Sequence, residues 1–376
     1  MKVLYDYQAF AMQSFGGVSR SFAQLISHLP EDIKYDIAIK WCSNEHLYES
    51  GVAPDVKFRQ SPFKGFSRHK WGVKVAKAYN HLCERWPGQR VSIGALKRGD
   101  FDVFHPTFFN PYFLQYLQDK PFVLTVHDLN YEVLHEMIHP RKRDDQIAQR
   151  TVLCPRAAHI VAVSENTAAD VVKYYHVPEN RISVIYHGAP QVHAPRSLKP
   201  VFDFRYILYV GSRGSYKNFA WMLNALSSWL RNSEIRLVCT GSEFSAAEMA
   251  QIQSLGLEDK VVHRFADTEE LYSLYNHAEV FIYPSMYEGF GIPILEAFAN
   301  GCPVILSRAS CFPEIAGDAA LYFDLGDNEM LVSYVNAVVG DNSLRERLIA
   351  AGTARLQRFS WEKSAAALAA VYRSLI

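Results

Sequence analysis

Pro284-Ser285-Met286-Tyr287-Glu288-Gly289-Phe290-Gly291-Ile292-Pro293-Ile294-Leu295-Glu296-Ala297-Phe298 is the stretch whose reading decides the fold. The apolar run Val280–Tyr283 in front of it predicts a strand ending at Tyr283–Pro284. A loop with two glycines follows, and Pro293 fits the first turn of a helix, where an absent N–H costs nothing. That helix should run to about Asn300, with Gly301 just past its end and Pro303 beyond. Gly289 and Gly291 allow close backbone approach, and the free amides of the helix start favour an anion. Glu296 is placed in the first turn, where a carboxylate suits the helix dipole and could accept two ribose hydroxyls. Glu288 stands before the loop, on the side expected to face the ligand cleft. Helix capping would account for one of these acids but leaves the other and both glycines unexplained.

The same strand–loop–helix rhythm runs along the whole chain. Further strands are expected at Lys2–Tyr7, Ile33–Lys40, Val56–Arg59, Phe101–His105, Phe122–Val126, His159–Val163 and Ile182–Tyr186 in the first half. In the second they are expected at Tyr206–Val210, Ile235–Thr240, Val261–Phe265, Val304–Leu306 and Ala320–Phe323. Most are nearly continuous apolar runs, as parallel strands covered on both faces should be. The proline-rich stretch Gly188–Pro195, with Pro200, reads as a linker. The fold class is therefore α/β, with two Rossmann-like doubly wound parallel-sheet domains, residues 1–190 and 200–358, facing across a cleft at the carboxyl ends of their strands. The length, 376 residues, favours two cores over one.

Composition excludes more than it identifies. Lys plus Arg and Asp plus Glu balance at 39 each, so net charge points to no nucleic-acid partner. The six cysteines form no Cys-x-x-Cys pair and no zinc spacing. The start, Met1-Lys2-Val3-Leu4-Tyr5-Asp6, meets an acid after three apolar residues, and no uncharged apolar run reaches 18 residues. The expectation is a cytoplasmic protein without a signal peptide or spanning helix.

Glu288-Gly289-Phe290-Gly291 with Glu296 resembles the E-G-F-G-x-x-x-x-E pattern of family 4 glycosyltransferases, which have the GT-B fold. Other segments carry the same resemblance. Val210-Gly211-Ser212-Arg213-Gly214-Ser215-Tyr216-Lys217-Asn218 is similar to the glycine loop after the first strand of the second domain. Thr125-Val126-His127-Asp128-Leu129, Ala162-Val163-Ser164-Glu165 and Phe312–Ala320 resemble the family's V-H-D, V-S-x and P-E-x-x-G-D-A-A segments. Gly16-Gly17 matches its paired amino-terminal glycines.

The resemblance implies a retaining hexosyltransferase using a nucleoside-diphosphate sugar, with no metal or other cofactor. In that reading Glu296 takes the ribose, Lys217 and Arg213 the diphosphate, and Glu288 with His127 the sugar, with Gly16, Gly17, Gly289, Phe290 and Gly291 completing the donor site. Glu288, His127 and Lys217 are the expected catalytic residues. It also implies that the chain end, 361–376, returns as a helix onto the first domain. The residues alone leave alternatives open: Arg213 and Lys217 as solvated loop charges, Gly16-Gly17 as a turn, His127 as a core histidine. Asp128 reads as a turn residue. Asp100-Phe101-Asp102, though an Asp-x-Asp, lies at the amino end of its strand and reads as a loop-to-strand turn rather than a metal site.

Residues 56–98 carry eleven Lys/Arg against one acid, Glu84, with aromatics interleaved. Lys70, Lys74 and Lys77 share one side of a possible helix, opposite Trp71, Val75 and Ala78. The segment is either a solvated basic face or a contact for an anionic membrane or lipid-linked acceptor. No nucleic-acid module surrounds it. The acceptor is expected to be a glycan or lipid-linked glycan of surface polysaccharide or lipopolysaccharide synthesis, with mannose the favoured sugar and the base open. A nucleotide-sugar epimerase of the same fold and a non-catalytic nucleotide-sugar sensor are the alternatives.

Overall fold

The computed structural model describes residues 1–12, 16–53, 55–58 and 85–376. The chain divides into two units. The first comprises Met1–Glu132, His139–Gly188 and Trp361–Ile376; the second comprises Val133–Ile138 and Ala189–Ser360.

In the first unit, β1 (Lys2–Tyr5) lies between β2 (Lys34–Ile37) and β5 (Val103–His105), and β7 (His159–Ala162) lies between β6 (Val123–Val126) and β8 (Ile182–Val184). All these pairings are parallel, and a parallel bridge from Phe104 to Phe122 joins the two triplets. Burial on both faces explains the unbroken apolar runs: Val3, Val103, Phe104, Val123, Leu124 and Ile160 are wholly inaccessible. A two-residue parallel pair, β3 (Trp41–Cys42) with β4 (Lys57–Phe58), stands apart from this sheet, and β3 was not expected from sequence. The terminal helix Trp361–Arg373 packs against the helix Gly17–Ser27. Its Tyr372 hydroxyl lies 2.7 Å from that of Tyr5 and 2.6 Å from Nδ1 of His105, and Ser364 donates to the carbonyl of Tyr186.

In the second unit six parallel strands run in the order β11 (Val261–His263), β10 (Arg236–Cys239), β9 (Tyr206–Tyr209), β12 (Phe281–Tyr283), β13 (Val304–Ser307), β14 (Leu321–Phe323). This is the doubly wound order in which the chain reverses direction of travel between the first and fourth strands of the unit, here β9 and β12, and loops at that reversal open a crevice for ligands. The proline-rich stretch after Gly188 is fastened to this unit: His193 donates its N–H to Ala299, and the Asn276 side chain donates to Ala194 and accepts from the N–H of Leu198. Gly301 shows why that path demands a glycine. Its φ is +65°, and a Cβ there would lie 2.7 Å from Pro195.

Candidate functional site

The loops after β9 and β12 flank the reversal of the second sheet and are tied together where the N–H of Met286 donates to the carbonyl of Tyr216, at 2.8 Å. This brings Lys217 to Glu288: Nζ lies 2.5 Å from Oε1, with each side chain 14% exposed. A partly buried ion pair is screened little, so each member is held in one geometry. Tyr283, at the end of β12, also bonds the Glu288 carboxylate, and burial together with that carboxylate pushes its hydroxyl well above its ordinary pKa. The Lys217 ammonium sits 5.0 Å from the Tyr216 ring centre and 5.7 Å from that of Tyr283.

Glycine places the next element. Gly291 has φ +92° and serves as N-cap of the helix Ile292–Ala299, with Pro293 at its second residue. Gly289 and Phe290 are buried beside it. Because the helix starts at Ile292, Glu296 is its fifth residue and lies beyond the first turn, correcting the sequence expectation. It is buried, 3.5 Å from the Tyr275 hydroxyl.

Arg213 also departs from expectation. Its guanidinium is 2% exposed: Nε donates to Glu248 at 2.8 Å, Nη1 to the carbonyl of Thr240 at 3.1 Å, and Nη2 to the carbonyls of Ser242 and Glu243. With those donors engaged, it ties the loop after β10 to the loop after β9 and is poorly placed to neutralise a diphosphate. Lys217, four residues on in the same loop, pairs instead with Glu288.

The carboxyl ends of the first sheet carry their own constellation. His127 follows β6, stacks on His187 at 5.9 Å between ring centres, and meets Phe22 edge-on. Its Nε2 is buried without a hydrogen-bond partner among the described residues. Burial holds the His127 pKa down to about 4, so the ring is neutral at pH 7 and can exchange a hydrogen bond with a hydroxyl. Behind it, buried Arg150 donates to both carboxylate oxygens of buried Glu132 at 3.1 and 3.3 Å, Tyr175 donates to the same carboxylate, and the Asp128 carboxylate lies 3.9 Å from the Arg150 guanidinium. Sequence reasoning did not find this network. The side chain of Asp128 accepts from the N–H of Asn130, a turn contact.

Gly16 is the extended N-cap of the helix Gly17–Ser27, its carbonyl accepting from the N–H of Arg20 and the hydroxyl of Ser19, both at 3.0 Å. Asp100 and Asp102 both bind Lys2, through its ammonium and its backbone N–H, each at 2.7 Å, at the amino end of β1. Among the described residues no three His, Cys, Asp or Glu side chains gather as a metal site. Lys70, Lys74 and Lys77 lie outside the described residues. Within the rest of that segment, Trp86 is half exposed and Arg90 stacks 4.3 Å over its ring.

Two family models match the chain: one described as Glycosyltransferase Family 4 over residues 15–191, the other as Glycosyl transferases group 1 over residues 195–355. The O-antigen chain mannosyltransferase B of Escherichia coli is 29% identical over 276 residues, covering 69% of this chain and 71% of that protein. A glycosyltransferase structure from Rickettsia africae superposes with TM-score 0.70 at 18% identity, covering 100% of this chain and 98% of that one. The structure of Anabaena HepE in complex with UDP and glucose gives TM-score 0.70 at 14% identity, with both chains covered entirely. These likenesses fix the fold as GT-B. Matched by two models that together run from residue 15 to residue 355, the chain belongs to glycosyltransferase family 4 and is a glycosyltransferase.

Proposed function

We propose that this enzyme transfers a hexosyl residue, with mannosyl the favoured case, from a nucleoside-diphosphate sugar to a glycan or lipid-linked acceptor in surface polysaccharide or lipopolysaccharide synthesis. The observation that carries this reading is the Lys217–Glu288 pair, 2.5 Å apart at the reversal point of the second sheet. Lys217 is the cation for the departing diphosphate, helped by the positive end of the dipole where the helix Ile292–Ala299 begins after Gly289, Phe290 and Gly291. Glu288 orients hydroxyls of the transferred sugar, and Glu296 accepts from the ribose. Most of the rate then comes from fixed charges and dipoles set where negative charge develops on the leaving diphosphate. His127, in the first unit, takes a sugar hydroxyl through its neutral ring, and Gly16-Gly17 gives backbone contact to the donor. No metal is required for this chemistry, and retention of configuration completes the reading. A mannosyltransferase relative from Escherichia coli named for O-antigen, and a structural neighbour holding UDP and glucose, support the substrate classes. Among the described residues no helix is long and apolar enough to cross a membrane, and the basic 56–98 segment is assigned to an anionic membrane surface on the cytoplasmic side.

A thermal-shift and hydrolysis screen with UDP-, GDP- and ADP-sugars in the absence of metal tests the donor assignment. Stabilisation by one nucleotide series, with slow release of that nucleotide, is expected. No response to any series overturns it, and an isomeric sugar nucleotide formed as product without acceptor would establish an epimerase instead.

A further inference from the structure

The loop after β13 holds Ser310 at φ +52°, a left-handed conformation that a side chain with Cβ adopts at a cost of roughly 1–2 kcal/mol. What the strained residue gains is contact with Glu288. Its hydroxyl donates to the Glu288 carbonyl at 2.5 Å and accepts from the Glu288 N–H at 3.3 Å. The neighbouring Cys311 thiol reaches the same carbonyl at 3.2 Å, and the hydroxyl of Ser307, at the end of β13, donates to the Ser285 carbonyl at 2.5 Å. The segment 285–288 is thus stapled on one side by two serine hydroxyls from β13 and its loop. On the other side it is held by the Met286 to Tyr216 backbone bond. Glycine would relieve the strain at 310 but has no hydroxyl to bridge both polar groups of the Glu288 backbone.

We propose that Ser310 is a positioning residue of the transfer reaction, fixing the Glu288 backbone so that its carboxylate meets Lys217 and the transferred sugar in one orientation. The inference rests on the assignment of Glu288 to the donor sugar. A displacement of about 1 Å at a reacting centre costs up to roughly a hundredfold in rate, so a lost backbone staple reads out in turnover.

Two variants separate strain from positioning. Ser310→Gly removes the hydroxyl and the strain; Ser310→Ala removes the hydroxyl and keeps the strain. Turnover of GDP-mannose and of UDP-glucose, by nucleotide release, is measured alongside Tm, with Glu288→Gln and the double variant Ser310→Gly/Glu288→Gln as references. The expected result is a fall in kcat of roughly fivefold or more for both single Ser310 variants, with donor KM little changed. The Tm of Ser310→Gly should be equal to or above that of the parent, and the double variant no slower than Glu288→Gln alone. A Ser310→Gly enzyme with parental kcat, or a kcat loss that simply follows a lowered Tm, overturns the positioning role. If Glu288→Gln itself retains full turnover, the donor-sugar assignment fails first and the Ser310 role falls with it.

Discussion

The ammonium of Lys217 and the carboxylate of Glu288 meet at 2.5 Å although 71 positions separate them in the chain. They do so because parallel strands β9 and β12 are neighbours and both of their carboxyl-end loops turn over the same edge of the sheet. Removing either partner leaves the other as a partly buried, uncompensated charge. Lys217→Ala should therefore lower turnover at least about tenfold by taking away stabilisation of the leaving diphosphate. Nucleotide release from the responsive donor measures this, with a Tm control for the stranded carboxylate. Unchanged turnover would remove Lys217 from the reaction.

Arg213 is expected to behave differently, as a structural clamp. Its Nε meets Glu248 at 2.8 Å and its Nη atoms hold carbonyls of Thr240, Ser242 and Glu243. Arg213→Lys keeps the charge but not the planar fork. It should destabilise the second unit by about 1–2 kcal/mol, the scale for losing one or two hydrogen bonds of the fork while the charge stays. Calorimetry or denaturant unfolding checks it; stability within about 0.5 kcal/mol of the parent, combined with weaker nucleotide binding, would return Arg213 to the diphosphate.

Where these roles could be read in advance follows from how local their causes are. The strands of the second sheet were legible because burial on both faces writes four-residue runs such as Tyr206–Tyr209 and Val304–Ser307 in unbroken apolar or small residues. Trp41–Cys42 was not, being two residues bounded by Lys40 and Ser43, too short for any period. The helix after β12 was legible from Pro293 and Gly301, but its first residue depended on Gly291 taking φ +92°, which moved Glu296 out of the first turn. The clamp made by Arg213 was not legible because its partners, from Thr240 to Glu248, follow 27 to 35 positions later and meet it only once β9 and β10 pair. Ser310 gave no sign at all, since its strain is a property of the folded loop.

The first unit should weaken in acid. Burial holds His105 and His187 down to about 3 and His127 to about 4, against an ordinary value of 6.5. A depressed folded-state pKa means the unfolded chain binds protons first as pH falls. Stability from these groups is thus fully present above pH 6.5 and is lost progressively down to pH 3–4. Asp6, whose carboxyl burial pushes up from an ordinary 3.8, works in the opposite sense, and does so above pH 3.8, inside the same range. The discriminating comparison is therefore His187→Asn against the parent: unfolding free energy followed from pH 7.5 to 5 should show a shallower slope in the variant. Parallel slopes would mean that His187 does not titrate on unfolding.

The basic segment 56–98 gives the last test. Eleven cations against one acid make it the most asymmetric charge run in a chain that is neutral overall. Each Lys or Arg close to an anionic surface contributes about 1 kcal/mol, and the contribution is lost within a Debye length. Replacing Lys70, Lys74 and Lys77 together by Ala should therefore weaken association with phosphatidylserine-containing vesicles by roughly a hundredfold at low salt, the equivalent of about 3 kcal/mol. Association with neutral phosphatidylcholine vesicles should be weak for parent and variant alike, and 0.5 M salt should abolish the difference on anionic ones. Trp86, half exposed with Arg90 over its ring, offers an interfacial anchor whose fluorescence should shift to the blue on binding. If parent and triple variant bind anionic vesicles equally, the three lysines form a solvated face, and the acceptor must be recognised elsewhere on the first unit.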